Sequence, residues 1–131
     1  MNHNKSSILI LENAETVWNA ITDDEKFSEW YAPGSTWSIP ELEVGKQANF
    51  TLMPSAYNNL QEGESIPMSF VIKEMKTNNV FSLYSEDDEF LLAFELISQP
   101  DGTQVTVNME GFEESLENLK AFLAGKELPY A

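Results

Sequence analysis

The 131-residue sequence contains no cysteine, which excludes a disulfide framework, a thiolate metal site, a thiol nucleophile and a redox pair. It contains no arginine either, since its seven basic residues are all lysine, and these face 22 acidic ones for a formal net charge of -15. That balance repels a phosphate backbone and anionic lipid alike, so neither nucleic acid nor a membrane surface is an expected partner. The plain reading of the charge is a solvated surface. The only histidine is His3, in a polar terminal segment, which removes a histidine base or a histidine-rich metal site from consideration. No apolar run approaches the length of a signal-peptide core or a membrane span. No membrane insertion and a cytoplasmic location are therefore expected.

What is present describes a folded chain. Hydrophobic residues make up 42% and aromatic residues 11%, enough to build a core despite the acidity. The length suits a single domain over residues 1–131 that buries roughly two-thirds of its unfolded surface.

Ser7 to Leu11 is a short β-branched run and predicts a first strand. Asn13 is placed to cap a helix beginning at Ala14, with Val17, Trp18 and Ile21 on its inward face. Thr22 and Glu25 have capping-box spacing and predict a second short helix carrying Phe27, Trp30 and Tyr31, ended by Pro33-Gly34. From Ser35 to Met109 the apolar period becomes two: Trp37/Ile39, Ala48/Phe50/Leu52 and Met68/Phe70/Ile72, then strands over Val80 to Ser85, Phe90 to Ile97 and Thr103 to Met109. Turn signals separate them at Gly45, Asn78-Asn79, Glu86 to Glu89 and Pro100-Asp101-Gly102. Residues 54–67 have no strong period and read as a mobile loop between strands, a candidate lid. After Gly111 the period returns to 3.6, with Phe112, Leu116, Leu119, Phe122 and Leu123 on one stripe of a C-terminal helix and Gly125 at its expected C-cap.

This order predicts an α+β helix-grip fold: a curved antiparallel sheet of six or seven strands wrapped around a long C-terminal helix, with two short helices after the first strand. A concave sheet opposite one helix leaves space to be filled by side chains or by a ligand. Asn13 to Asp23 with its Val17-Trp18 pair, the Trp30-Tyr31 pair, and Gly111-Phe112 followed by Leu119 to Leu123 together resemble the START-like, or SRPBCC, superfamily. Within it they are most similar to the branch of the activator of heat-shock protein 90 ATPase. The sequence departs from that branch in having Asn13-Ala14 where alanine-proline is frequent, and in its loop over residues 54–67.

Alternation and helical spacing select Trp30, Trp37, Phe50, Phe70, Tyr84, Phe94, Phe112 and Leu116 as candidate ligand-binding residues on the concave side. Plain core packing is the competing reading of each. Catalytic groups are scarce. Ser55 and Ser65 have no base and no G-x-S-x-G elbow, no phosphate-binding glycine loop occurs, and the Glu86 to Glu89 turn lacks calcium-loop spacing. Glu74, Glu95 and Glu110 would act as acid or base only if buried, and an outward-facing carboxylate is the simpler expectation.

The expected function is therefore non-catalytic: a hydrophobic small molecule, such as a lipid or an aromatic metabolite, held in a cavity between sheet and C-terminal helix, with Tyr84 as its polar contact. No cofactor and no metal are expected. The resemblance also implies a chaperone partner as the alternative, and a cyclase- or hydrolase-like enzyme as a third reading. Monomer and homodimer are both compatible with the sequence.

Overall fold

Consecutive strands joined by short turns dictate the architecture seen in the computed structural model, which describes residues 5–32, 34–54, 60–86 and 91–130. The elements are β1 (Ser6–Ile10), α1 (Ala14–Thr22), α2 (Asp24–Trp30), β2 (Thr36–Ser38), β3 (Gln47–Leu52), β4 (Ile66–Lys76), β5 (Val80–Ser85), β6 (Leu91–Gln99), β7 (Gly102–Val107) and α3 (Glu113–Leu123). Strands β2 to β7 follow one another as a meander, and β1 joins the far side of β7, giving one seven-stranded sheet in the order β1-β7-β6-β5-β4-β3-β2. Every pairing is antiparallel. The sheet curls into a half-barrel with the helices on its concave side, so the helix-grip fold expected from the sequence is the one observed.

Period-two alternation sets the faces. Phe81 and Leu83 of β5, Leu92, Phe94 and Leu96 of β6, and Val105 and Val107 of β7 are buried, while Glu95 and Ile97 between or beside them are exposed. Turn chemistry sets the register. Asn78 adopts a left-handed φ of 62° between β4 and β5, a conformation asparagine tolerates better than most residues. Strand β7 ends at Val107, two residues before its expected limit, because the Asn108 side chain takes over the ladder. Its Oδ1 accepts from Ala93 N–H and its Nδ2 donates to Leu91 O, each at 2.8 Å.

The helix ends follow their capping residues. Asn13 Oδ1 accepts from Thr16 N–H at 2.8 Å, as its position before Ala14 requires. At α2 the expected Thr22–Glu25 capping box does not form. Thr22 is the last residue of α1 and its hydroxyl donates back to Trp18 O at 2.8 Å, so the cap falls to Asp23, whose carboxylate accepts from Glu25 N–H at 3.1 Å. At the other end of the chain, Gly125 with φ 71° closes α3. Its N–H donates to Phe122 O and that of Lys126 to Ala121 O, the paired bonds of a Schellman motif.

Each helix approaches a different part of the sheet: α1 lies against β6 and β7, α2 against β2, and α3 against β1 and the other two helices. Ser6, buried in β1, fixes the start of α3. Its hydroxyl oxygen accepts from Phe112 N–H at 3.1 Å and lies 2.8 Å from Met109 O and 3.0 Å from Glu113 Oε2. The Glu113 carboxyl is held below its ordinary range first by its own backbone N–H and then by the Ser6 hydroxyl. Among the described residues no helix makes a comparable approach to β3, β4 or β5.

Where β7 begins, the backbone of β1 leaves no room for a side chain. A Cβ on Gly102 would overlap the carbonyl oxygen of Ile10 and crowd its carbonyl carbon and Leu11 Cα. These atoms belong to the backbone at the end of a paired strand and cannot swing aside. Gly102→Ala is expected to destabilise the fold by about 3 kcal/mol, at the upper end of overpacking effects. Urea denaturation measures this, and an unchanged midpoint would show that the β1–β7 pairing yields there without loss.

Candidate functional site

Strands β3, β4 and β5, which no helix covers closely, are covered by side chains, and α2 supplies the first of them. Phe27, Trp30 and Tyr31 have the i, i+3, i+4 spacing that brings three rings to one face of a helix. Strand β2 brings Trp37 opposite them. Its backbone N–H groups would be unpaired on the side away from β3, but α2 receives them: Ser28 Oγ accepts from Trp37 N–H at 2.8 Å and Asp24 Oδ2 from Ile39 N–H at 2.8 Å. Side-chain acceptors thus cover part of an edge that would otherwise remain open.

The result is a continuous aromatic network. Trp37 stacks on Phe27 with centroids 4.5 Å apart and planes 11° apart, and meets Phe50 at 4.8 Å, Phe70 at 5.4 Å and Tyr31 at 5.5 Å. Phe27 and Trp30 continue it to Phe94 at 5.8 and 6.1 Å. Tyr31 carries it outward to Phe50 at 5.4 Å and Phe112 at 6.0 Å. In the sheet, Trp37 pairs with Phe50 and Phe50 with Met68, so one row of the concave face runs from the buried Trp37 to the partly buried Met68.

Of the eight residues selected from the sequence, Trp30, Trp37, Phe50, Phe70, Phe94 and Phe112 join this network, and Leu116 is buried in the same core. Tyr84 is elsewhere. It pairs with Val71 and Leu91, one residue out of step with the buried Leu83, which turns it to the convex face. The β5 strand is buried at Phe81, Ser82 and Leu83 in succession, so alternation around Tyr84 was a weak guide to its face. Two residues that sequence selection passed over, Phe27 and Tyr31, are the hubs. Their helical spacing was the available signal.

Polar groups hold the hubs in place. The Trp30 indole N–H donates to Ala20 O at 2.8 Å. The last turn of α2 leaves carbonyls without helical partners, and α3 supplies them: Ser115 donates to Tyr31 O at 2.9 Å and Asn118 Nδ2 to Trp30 O at 3.3 Å. Asn118, only 2% exposed, also binds the C-terminal segment, accepting from Tyr130 N–H at 3.0 Å and donating to Tyr130 O at 3.4 Å. A search for apolar stripes passes over such a residue. The Tyr31 phenol has its pKa pushed well above the usual range by burial, so it stays protonated at any physiological pH. Among the described residues one buried side-chain donor has no partner: the Trp37 indole N–H is unbonded, with the residue 4% exposed.

Glu74, Glu95 and Glu110 are exposed, and Glu74 pairs with Lys76 at 3.4 Å, so none is a buried acid or base. Among the described residues no group of three or more acidic or histidine side chains gathers to hold a metal. His3, residues 55–59 of the proposed lid and residues 87–89 of the acidic turn lie outside the described residues. Two recesses of about 400 Å³ each flank the β6–β7 turn, one lined by Ile8, Leu9 and Gln104 among others and one by Leu11, Asn13 and Gly102 among others. Neither is lined by any of the eight selected residues.

Comparison with known proteins agrees with this geometry. The sequence model of the family described as Activator of Hsp90 ATPase homolog 1-like protein matches residues 13–127. Similar solved structures include a protein from Chromobacterium violaceum (TM-score 0.73, 17% identity, covering 93% of this chain and 97% of that one). Another is a protein from Nitrosomonas europaea (TM-score 0.72, 18% identity, 92% and 93%). A third, the AHSA1-like protein from Aeromonas hydrophila, has a TM-score of 0.65 at 23% identity over 94% and 95%. No curated protein sequence matches the chain. Among the described residues no helix is long and apolar enough to cross a membrane.

The seating of α2 on α3 is open to a direct measurement. Asn118→Ala removes bonds to Trp30 O and to both backbone groups of Tyr130 while leaving buried carbonyls behind. It should destabilise the protein by about 2 kcal/mol, with a change in near-ultraviolet dichroism as the Trp30 and Tyr31 rings loosen. A loss of stability below about 0.5 kcal/mol, within the range of ordinary surface substitutions, would show that Asn118 does not hold the helix.

Proposed function

Because the chain belongs to the family of Activator of Hsp90 ATPase homolog 1-like proteins, a family of binding proteins on this fold, we propose that it holds a hydrophobic small molecule between its curled sheet and the α2–α3 pair, and performs no chemistry on it. The observation that carries this reading is the reach of the aromatic network. It runs without a break from the buried Phe94 and Trp37 to a rim of partly buried apolar side chains, Tyr31, Met68 and Phe112, with Leu52 in the same partly buried set. A rim of this kind leaves apolar surface in contact with water, and a ligand that covers it gains about 25 cal/mol for each Å² removed. Aromatic walls of this sort suit an apolar body better than a polar one.

Composition supports the non-catalytic half of the proposal. Without cysteine or arginine, and with His3 as the only histidine, the chain has no thiol nucleophile, no guanidinium clamp and no second histidine to act as a base. Native mass spectrometry of protein purified from cells, followed by solvent extraction, is expected to find a copurified apolar molecule. Repeated preparations with no adduct and no extractable compound would remove the reading. Turnover of an extracted compound, abolished by one carboxylate substitution, would replace it with an enzymatic one.

A second reading, contact with a chaperone of the kind in the family's name, is favoured by one separate feature. Leu9 (41% exposed) and Ile97 (42% exposed) both pair with Gln104, which puts two apolar side chains on one outer-face row of an otherwise strongly acidic protein. Capture of an Hsp90-type chaperone is expected to weaken as salt is raised, and to weaken again in the Leu9→Glu/Ile97→Glu double variant. Failure of capture at low salt, or capture indifferent to both changes, would discard this reading.

A further inference from the structure

We propose that the molecule held against this network is electrically neutral and presents an acceptor oxygen, of the ketone, ester or ether type, to the indole N–H of Trp37. The inference rests on the ligand-binding reading above and adds the chemical class of the ligand.

Buried donors are nearly always bonded, and one left without a partner is costly. Trp30 and Trp37 lie in the same network and differ here: the Trp30 indole N–H reaches Ala20 O at 2.8 Å, whereas that of Trp37 reaches no acceptor among the described residues. The Trp37 ring has no freedom to search for a bond. Its backbone N–H is fixed by Ser28, one face is stacked on Phe27 at 4.5 Å, and Phe50 and Phe70 press in at 4.8 and 5.4 Å. A packed aromatic ring held on several sides keeps its orientation. Orphan buried polar atoms in native proteins call for an explanation, and a bound partner is one.

The indole N–H only donates, so the ligand group must accept, which excludes a protonated amine. Charge selects further. The protein has no arginine, and every described lysine, from Lys5 to Lys126, is exposed. A carboxylate or phosphate lodged among Phe27, Tyr31, Phe50 and Phe70 would therefore lack a counter-ion in an apolar setting, which is strongly unfavourable. The net charge of -15 repels it as well. A neutral carbonyl or ether oxygen meets both conditions.

Three probes with one ring system test this: naphthalene, 2-acetylnaphthalene and 2-naphthoate, each titrated into the full chain labelled with nitrogen-15. The three tryptophans give three indole resonances, and that of Trp37 is identified by its loss in Trp37→Phe. The ketone is expected to bind about tenfold more tightly than the hydrocarbon, the range of one hydrogen bond to a buried donor, and to move the Trp37 indole resonance downfield; the carboxylate should bind weakest. In Trp37→Phe the ratio of ketone to naphthalene affinity should fall to about one, whatever the loss of ring contacts does to the affinity the two probes share. Equal binding of ketone and hydrocarbon by the unmodified protein, or a carboxylate that binds as well as the ketone, would overturn the inference and leave the ligand-binding reading standing. Both results are read on the unmodified chain and do not depend on the variant folding. Binding of none of the three would overturn the inference and the reading together.

Discussion

The stack of Trp37 on Phe27 joins the helical and sheet halves of this protein, and the rest of the interior is arranged around it. A seven-stranded sheet that curls presents more concave surface than three helices can approach, and here the helices reach its two margins and the β6–β7 region. The strands between are left to side chains. Large rings extend far enough to fill such a span at the density of a protein interior, and Phe27, Trp30, Tyr31, Trp37, Phe50 and Phe70 do so here. The same arrangement ends in a rim that is not fully closed, and the binding proposal follows from that incompleteness.

Rings alone do not fix the helices. The seating of α2 depends on polar side chains placed where its backbone would be unsatisfied: Ser28 and Asp24 serve the free edge of β2, while Ser115 and Asn118 serve the carbonyls at its C-terminal end. Each of these bonds relieves a buried group that would otherwise be destabilising. Because this arrangement is so nearly complete around the network, the unbonded indole N–H of Trp37 stands apart.

Much of this is legible in the sequence, for identifiable reasons. The period-two runs through Phe50, Phe70 and Phe94 and the 3.6 stripe through Leu116 and Leu119 are backbone periodicities, and they located the sheet and α3 closely. The capping of α1 by Asn13 and the closing of α3 at Gly125 were legible because caps are local. Errors arose where two local signals competed. Thr22 had the spacing of a cap but was already the last residue of α1, and Tyr84 sat in a strand with three successive buried residues, where alternation no longer distinguishes the faces.

Fold class, element order, acidic character and the lack of cysteine and arginine can all be read along the chain, because periodicity, capping and composition are properties of residues close together in it. It took the folded arrangement to show that Phe27 and Tyr31 are hubs, that Asn118 reaches across to Trp30 and Tyr130, and that the Trp30 indole is bonded while that of Trp37 is not. Those facts depend on which groups meet across 9 to 88 positions of sequence, and no local pattern records whether a buried donor will find its acceptor.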